Sequence, residues 1–547
     1  MDTMIRENCI LMHISSLPGP FGIGTFGLEA RMFVEKLVEA NVTYWQVLPF
    51  TVPGKGNSPY SSISAFAGNP WFIDPRLLVA DGLLTEQECA NFVYRGENQT
   101  AVDFDFVKLN NDYYLRLAYT RMNSEKMGEV FHFVRSQSWL HDFALFVVIQ
   151  RYFNGMSWWE WPDEGLRYHR VEALNKFAEE HTSELNYIYF VQWLFFRQWQ
   201  DLKNYANERG VGILGDLPLY VARDGSDVWS NSRLFDLDEN LEPVEVAGVP
   251  PDYFTWDGQL WGNPLYRWDV MEHEEYKWWI ERLRFSLELY NRIRIDHFRG
   301  LESYWAVPAS HTTARNGVWR KGPGMKLFRT IERHLGDINV IAEDLGDITD
   351  EVRQLISDSG IPGMKVFQFA FDPYFNDQDL PHRYKRHLCV YSGTHDNATT
   401  LGWIKSCNDD ERRYVLDYIG LSHEVDWTQG GQESPFLNAV LRTLWSSVAF
   451  FVAAPIQDFL GYDDTARMNI PGVPEGNWGF RVPPGALGSW NTTYLKRLNL
   501  LYGRNIPYKD PLGASYLSDA EKEMRRRQYE RLYDVEATIK ALANLNK

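Results

Sequence analysis

Three things are scarce in this sequence, and each scarcity excludes something. Cysteine is the first: only Cys9, Cys89, Cys389 and Cys407 occur in 547 residues. They are widely spaced and form no CxxC pair, so neither a disulfide framework nor a thiolate metal site is expected. They read as reduced thiols of a cytoplasmic protein. Positive charge is the second: 55 Lys and Arg stand against 73 Asp and Glu, a net charge of −18. Nucleic acid needs a basic surface to meet its phosphates, and an anionic membrane or polyanionic substrate needs the same, so none is expected as a main partner. Long apolar runs are the third. None reaches the roughly 20 residues of a spanning helix. The first residues carry Asp2, Arg6 and Glu7 ahead of an apolar run that breaks at Ser15-Ser16, which is no secretory signal. No internal repeat or low-complexity tract is visible.

Rings, by contrast, are plentiful. The chain holds 21 Trp, 29 Tyr and 32 Phe, 15% of all residues. A large core accounts for most of them, because rings bury much area per residue. An excess of Trp in an acidic protein also suits a neutral, hydroxyl-rich ligand, whose flat C–H faces stack on rings.

Taken in order, the chain alternates strands with helices. Ile10 to Ile14 reads as a first strand, residues 27–40 as a helix, and Thr43 to Leu48 as a second strand stopped by Pro49. A strand–helix–strand unit favours a parallel sheet. Between its first two elements, Gly22-x-Gly24-x-x-Gly27 matches a dinucleotide fingerprint. Pro18-Gly19-Pro20 lengthens a turn that must be tight, and the second strand ends without the acid that holds a ribose, so the match reads as a decoy. Residues 1–75 are taken as the first barrel strands with a loop from Asn57 to Pro70, where Tyr60 could stack on a ligand. Residues 76–208 are mostly helical and read as an insertion whose Trp residues belong to the core. The remainder, 209–547, resumes the barrel. It opens on a strand ending at Asp216, continues with a Gly-, Pro- and ring-rich binding loop near 229–268, and finishes with a charged, solvent-facing helix over 519–545.

The centre of the sequence is Arg292-Ile293-Arg294-Ile295-Asp296-His297-Phe298-Arg299-Gly300. Alternating Ile and Arg make a short strand that ends in a carboxylate. Two further carboxylates end similar strands: Glu343 after Val340-Ile341-Ala342, and Asp396 in Ser392-Gly393-Thr394-His395-Asp396-Asn397. In a parallel barrel, catalytic groups sit where strands end, so these acids could converge on one opening. One acid alone is more readily a salt bridge or a helix cap. Three at equivalent positions point to glycosidic bond chemistry, which needs an acid and a nucleophile or base on opposite faces of a sugar. Asp296, beside Arg294 and His297, should be ionised and suits the nucleophile. Glu343, after an apolar run, should hold a proton and suits the acid. Asp396 would hold ring hydroxyls.

These motifs resemble the α-amylase superfamily. Ser58-Pro59-Tyr60-Ser61-Ser62, Gly215 to Val221, Gly248-Val249-Pro250-Pro251-Asp252, Gly258-Gln259-Leu260-Trp261-Gly262-Asn263-Pro264 and Arg467-Met468-Asn469-x-Pro471-Gly472 narrow the likeness to its 4-α-glucanotransferases, or amylomaltases. The resemblance runs from about residue 10 to about residue 482. It implies an α/β fold, a (β/α)8 TIM barrel with large, mainly helical insertions and no separate C-terminal β-domain. It implies retaining transfer of α-1,4-glucan segments, with maltooligosaccharides or starch- and glycogen-derived glucans as donors and glucose among the acceptors. By the same likeness Asp296 is nucleophile, Glu343 acid/base and Asp396 stabiliser. Tyr60, Asp216, Arg294 and His395 surround the donor sugar, Gln259 and Trp261 cover the site, and Asn469 touches substrate. No cofactor or metal is implied. An α-amylase-type hydrolase, or a glucan-binding protein without catalysis, would share many of these residues.

Overall fold

The computed structural model describes residues 5–251, 255–372, 379–509 and 519–545. Eight strands form one sheet: β1 (Glu7–Leu11), β2 (Tyr44–Gln46), β3 (Gly212–Leu217), β4 (Arg292–Ile295), β5 (Val340–Ala342), β6 (Gly363–Val366), β7 (Leu388–Tyr391) and β8 (Phe451–Pro455). Each pairs in parallel with its sequence neighbour from β1 to β5 and from β6 to β8, and β8 pairs back to β1. No ladder joins β5 to β6. That seam is held by the Ala342 N–H to the Pro362 carbonyl at 2.8 Å and by the Asp344 carboxylate, which accepts from the Met364 N–H at 2.6 Å. Gly363 is required there, because a Cβ would lie 2.7 Å from the Asp344 carboxylate. The sheet is thus a (β/α)8 barrel, as expected.

The alternation in β4 is inverted relative to a surface strand. Ile293 and Ile295 point outward into the large core shared with the surrounding helices. Arg292 and Arg294 point into the barrel. Arg292 lies over the rings of Tyr44 (4.5 Å) and Phe451 (5.1 Å) and pairs with Glu7 at 2.6 Å. Around it, Cys9, Leu214, Ile341, Met364, Cys389 and Tyr391 fill the interior. Inward residues therefore run from apolar near the start of the strands to charged at their C-terminal ends, which is the layout of a barrel with its chemistry at one mouth.

The helical stretch is packed with rings. Trp158, Trp161 and Trp199 are fully buried, and so are Trp45, Trp229, Trp279 and Trp445 elsewhere. Truncating such a ring costs about 3–5 kcal/mol, so most of the Trp excess serves the core. The four cysteines are free and buried. Among the described residues no helix is long and apolar enough to cross a membrane.

Two features depart from the sequence reading. The region expected as a long binding loop supplies two strands, Glu245–Val249 and Gln259–Pro264. They join Ser303–Pro308 and Val318–Lys321 in a four-stranded antiparallel sheet. Asp252, Tyr253 and Phe254 of that stretch lie outside the described residues. Second, the C-terminal helix Asp519–Leu545 is not purely solvated: Leu532, Val535, Glu536 and Ile539 are buried. Its hydrophobic positions recur at helical spacing, and the run of charge at 525–527 masks them. The glycine fingerprint, read as a decoy, has a packing cause. A Cβ on Gly24 would lie 1.8 Å from the Ile14 carbonyl, and one on Gly27 1.8 Å from the Asp74 carboxylate.

Asp74 belongs to a buried charge cluster. The Arg76 guanidinium donates to Asp74 (2.5 Å), to Glu29 (2.6 Å) and to Glu536 of the C-terminal helix. Removing one partner of a buried pair strands the others. Arg76→Ala should therefore lower unfolding stability by about 3–5 kcal/mol, read from urea denaturation. A change under about 1 kcal/mol would show the cluster to be a solvated surface network.

Candidate active site

The charged end of the barrel is built around Arg294. From the last turn of β4 its guanidinium donates to Asp216 Oδ2 of β3 at 2.6 Å and to Asp296 Oδ1 at 2.8 Å. Asp216 also accepts from the Tyr60 hydroxyl at 2.6 Å. The Tyr60 ring stacks on His395, with centroids 4.9 Å apart and planes 9° from parallel. His395 Nε2 lies 3.3 Å from Asp396 Oδ2, and Asp396 Oδ1 accepts from Asn469 Nδ2 at 2.6 Å. Tyr60 follows β2, His395 and Asp396 follow β7, and Asn469 follows β8. Residues remote in sequence thus form one connected set across the mouth.

Glu343 joins it from β5. Its two carboxylate oxygens accept backbone amides, Oε2 from His297 at 2.7 Å and Oε1 from Leu345 at 2.9 Å. His297 adopts the left-handed backbone region, φ 51° and ψ 46°. That turn aims its amide at Glu343 in the residue directly after Asp296, so the two acids are tied through adjacent peptide groups. The His297 ring meets Trp261 edge-on, centroids 4.8 Å apart. Trp261 Nε1 donates to Gln259 Oε1 at 3.2 Å, so Gln259 reaches the set through Trp261.

Electrostatics follow from the Arg294 cation set among buried carboxyls. Burial pushes the Glu343 carboxyl up, while Arg294 and the two amides pull it down. The upward direction matches the sequence reading. Asp296 departs from it. Arg294 does pull its carboxyl down, yet burial outweighs that pull, and Asp216, Glu343 and Asp396 add to the upward push. The sequence reading counted the adjacent cation and missed carboxylates brought in from other strands. Burial also holds the His395 imidazole below its ordinary value against the pull of Asp396. His13 and His297 are pushed down to about 3 by burial and stay neutral.

All ten candidate residues line this mouth or the strand above it. Others were not singled out by sequence. Arg467 donates to the Asp396 carbonyl at 2.7 Å and to the Asn469 carbonyl at 2.8 Å; it stood in a motif without a role. Trp478 packs on both Tyr60 and His395. Tyr220 lies beside Trp261 and His297. No spacing signal distinguishes these from the other rings of the chain. Among the described residues no cluster of three or more His, Cys, Asp or Glu could hold a metal ion.

A parallel barrel whose strand-end carboxylates gather in a ring-walled mouth defines an enzyme of glycosidic bonds. The sequence pattern of the 4-alpha-glucanotransferase family matches residues 12–487. A 4-alpha-glucanotransferase of Streptococcus pneumoniae is 43% identical over 507 residues, 91% of this chain and 97% of that protein. One from Thermus thermophilus is 44% identical over 488 residues, 87% and 95% of the two chains. Among solved structures, the amylomaltase from Streptococcus agalactiae in complex with acarbose superposes with a TM-score of 0.87 at 36% identity, covering 91% of this chain and 99% of that one. The chain belongs to the 4-alpha-glucanotransferase family. It is a transferase acting on α-1,4-glucans.

One neighbour of the site titrates within the working range. Asp344, at the β5–β6 seam, is pushed up to about 7 by burial. Its ordinary value is about 4. A folded value above the unfolded one adds stability at low pH that is lost as pH climbs through the folded value. Asp344→Asn keeps an oxygen for the Met364 amide and removes that loss. Relative to the native chain, its urea midpoint should rise between about pH 4 and about pH 7; a pH-independent difference would contradict this.

Proposed function

We propose that Asp296 attacks the anomeric carbon of a maltooligosaccharide or other α-1,4-glucan, while Glu343 protonates the departing glycosidic oxygen. The observation that carries this reading is Arg294, clamped between Asp216 and Asp296. Burial pushes both Asp296 and Glu343 up, so the pair keeps a proton. Arg294 pulls the Asp296 carboxyl down against the burial that raises it. Of these two acids only Asp296 is in hydrogen-bond contact with Arg294 among the described residues, so this reading assigns the proton to Glu343.

The step balances without a cofactor. The Asp296 Oδ–C1 bond forms as the C1–O4 bond breaks, and the Glu343 proton leaves with the truncated glucan. Glu343, now a carboxylate, takes a proton from the 4-hydroxyl of an incoming glucose or glucan, whose oxygen displaces Asp296. Two inversions give retention. Asp396, fixed by Asn469, accepts hydrogen bonds from ring hydroxyls as charge grows at C1. Trp261, on a strand of the antiparallel sheet, gives the acceptor a ring to stack on and narrows access for water. This part of the wall is a sheet strand, Gln259–Pro264.

Incubation with maltotriose tests the reading. Glucose together with a ladder of longer maltodextrins is expected. Maltose and glucose accumulating without longer products would mark a hydrolase. Asp296→Asn should cut turnover by at least about 10³-fold while glucan binding, read by calorimetry, persists. Retained turnover would remove Asp296 from the nucleophile's role.

A further inference from the structure

Trp478 holds a backbone conformation that a bulky residue avoids. Its φ is +67°, in the left-handed region, where a non-glycine residue costs roughly 1–2 kcal/mol. Such strain persists only where the surroundings over-determine it, and it concentrates at functional sites. Here the surroundings are explicit. The Trp478 amide donates to the Met468 carbonyl at 2.8 Å. The preceding Asn477 clips the loop shut: its Oδ1 accepts from Ile470 N–H at 2.9 Å and its Nδ2 donates to the Val473 carbonyl at 2.7 Å. The indole is buried among Leu11, Leu48 and Met468. It leans on Tyr60, centroids 5.7 Å apart, and on His395, 5.9 Å apart.

These are the two rings that hold the acids. Tyr60 hydrogen-bonds Asp216, and His395 lies against Asp396. The same loop carries Asn469, the donor to Asp396. We infer that Trp478 is a positioning residue of the transfer reaction: it closes the outer side of the Tyr60–His395 stack, fixing both rings and keeping water from the imidazole. This rests on the proposed roles of the mouth residues. The charged and titratable groups facing His395 are His13, Tyr60, Asp216, Arg294 and Asp396. Burial is the main influence holding the His395 imidazole below its ordinary value, helped by Arg294 and opposed by Asp396 and Asp216, so water admitted to the ring would move it back up.

The test compares native protein, Trp478→Phe and Trp478→Ala in maltotriose disproportionation across pH, with melting temperatures alongside. Native protein must first form the maltodextrin ladder; failure there rejects the proposed function and not this inference. Trp478→Phe, which retains a ring against the stack, should stay within about threefold of native kcat. Trp478→Ala should lose kcat by tenfold or more with KM changed less than threefold. Its loss should deepen below about pH 6.5, where an opened His395 protonates. A loss uniform across pH and tracking a lowered melting temperature, equal losses in both variants, or kcat within twofold of native in Trp478→Ala, would each overturn the assignment.

Discussion

The guanidinium of Arg294 is the point on which the active mouth depends. It is nearly inaccessible, its side chain 4% exposed, and it spans carboxylates from two strands. A planar fork with fixed donor directions can do this where an ammonium could not, because both contacts must be met at once. Without it, Asp216 and Asp296 would face each other and the nearby Glu343 with nothing to offset their repulsion. The mouth exists because β4 turns its arginines inward, and it can do so because Ile293 and Ile295 satisfy the outer core. One period-two pattern thus sets both packing and chemistry.

Much of this was legible in the sequence. The eight strands and most barrel helices follow from short apolar runs that end in Pro, Gly or acid. The acids at 296, 343 and 396 stand out because each ends such a run. The family likeness rests on motifs that bear the same residues as the mouth. What was not legible depends on contacts across strands. The upward push on Asp296 comes from carboxylates far away in the chain. The antiparallel sheet was read as loop because Gly, Pro and rings dominate 248–264, and its partners, 303–308 and 318–321, lie some 50 residues on. Trp478 gave no signal, since a left-handed backbone at tryptophan contradicts its own propensity and is imposed by the loop around it.

On the proposed reading, a transferase is made from parts that would also suit a hydrolase. The barrel supplies acids, and any nucleophile that reaches the intermediate completes the reaction. On that reading the wall above decides which nucleophile arrives. Trp261 stands on a strand paired within a sheet, against the His297 ring. A fixed wall presents an organised surface to a sugar and needs no ordering when the acceptor arrives.

The seam between β5 and β6 has a consequence for how the molecule fails. Every other junction of the barrel is a ladder of backbone bonds; this one leans on a side chain and a carbonyl, and Glu343 sits beside it. Local opening should begin where the fewest bonds must break. The first group displaced by such breathing is Glu343, the proposed proton donor, while the remaining staves of the barrel stay knit. Heat would then silence the enzyme before it melts it, and the two temperatures would come apart.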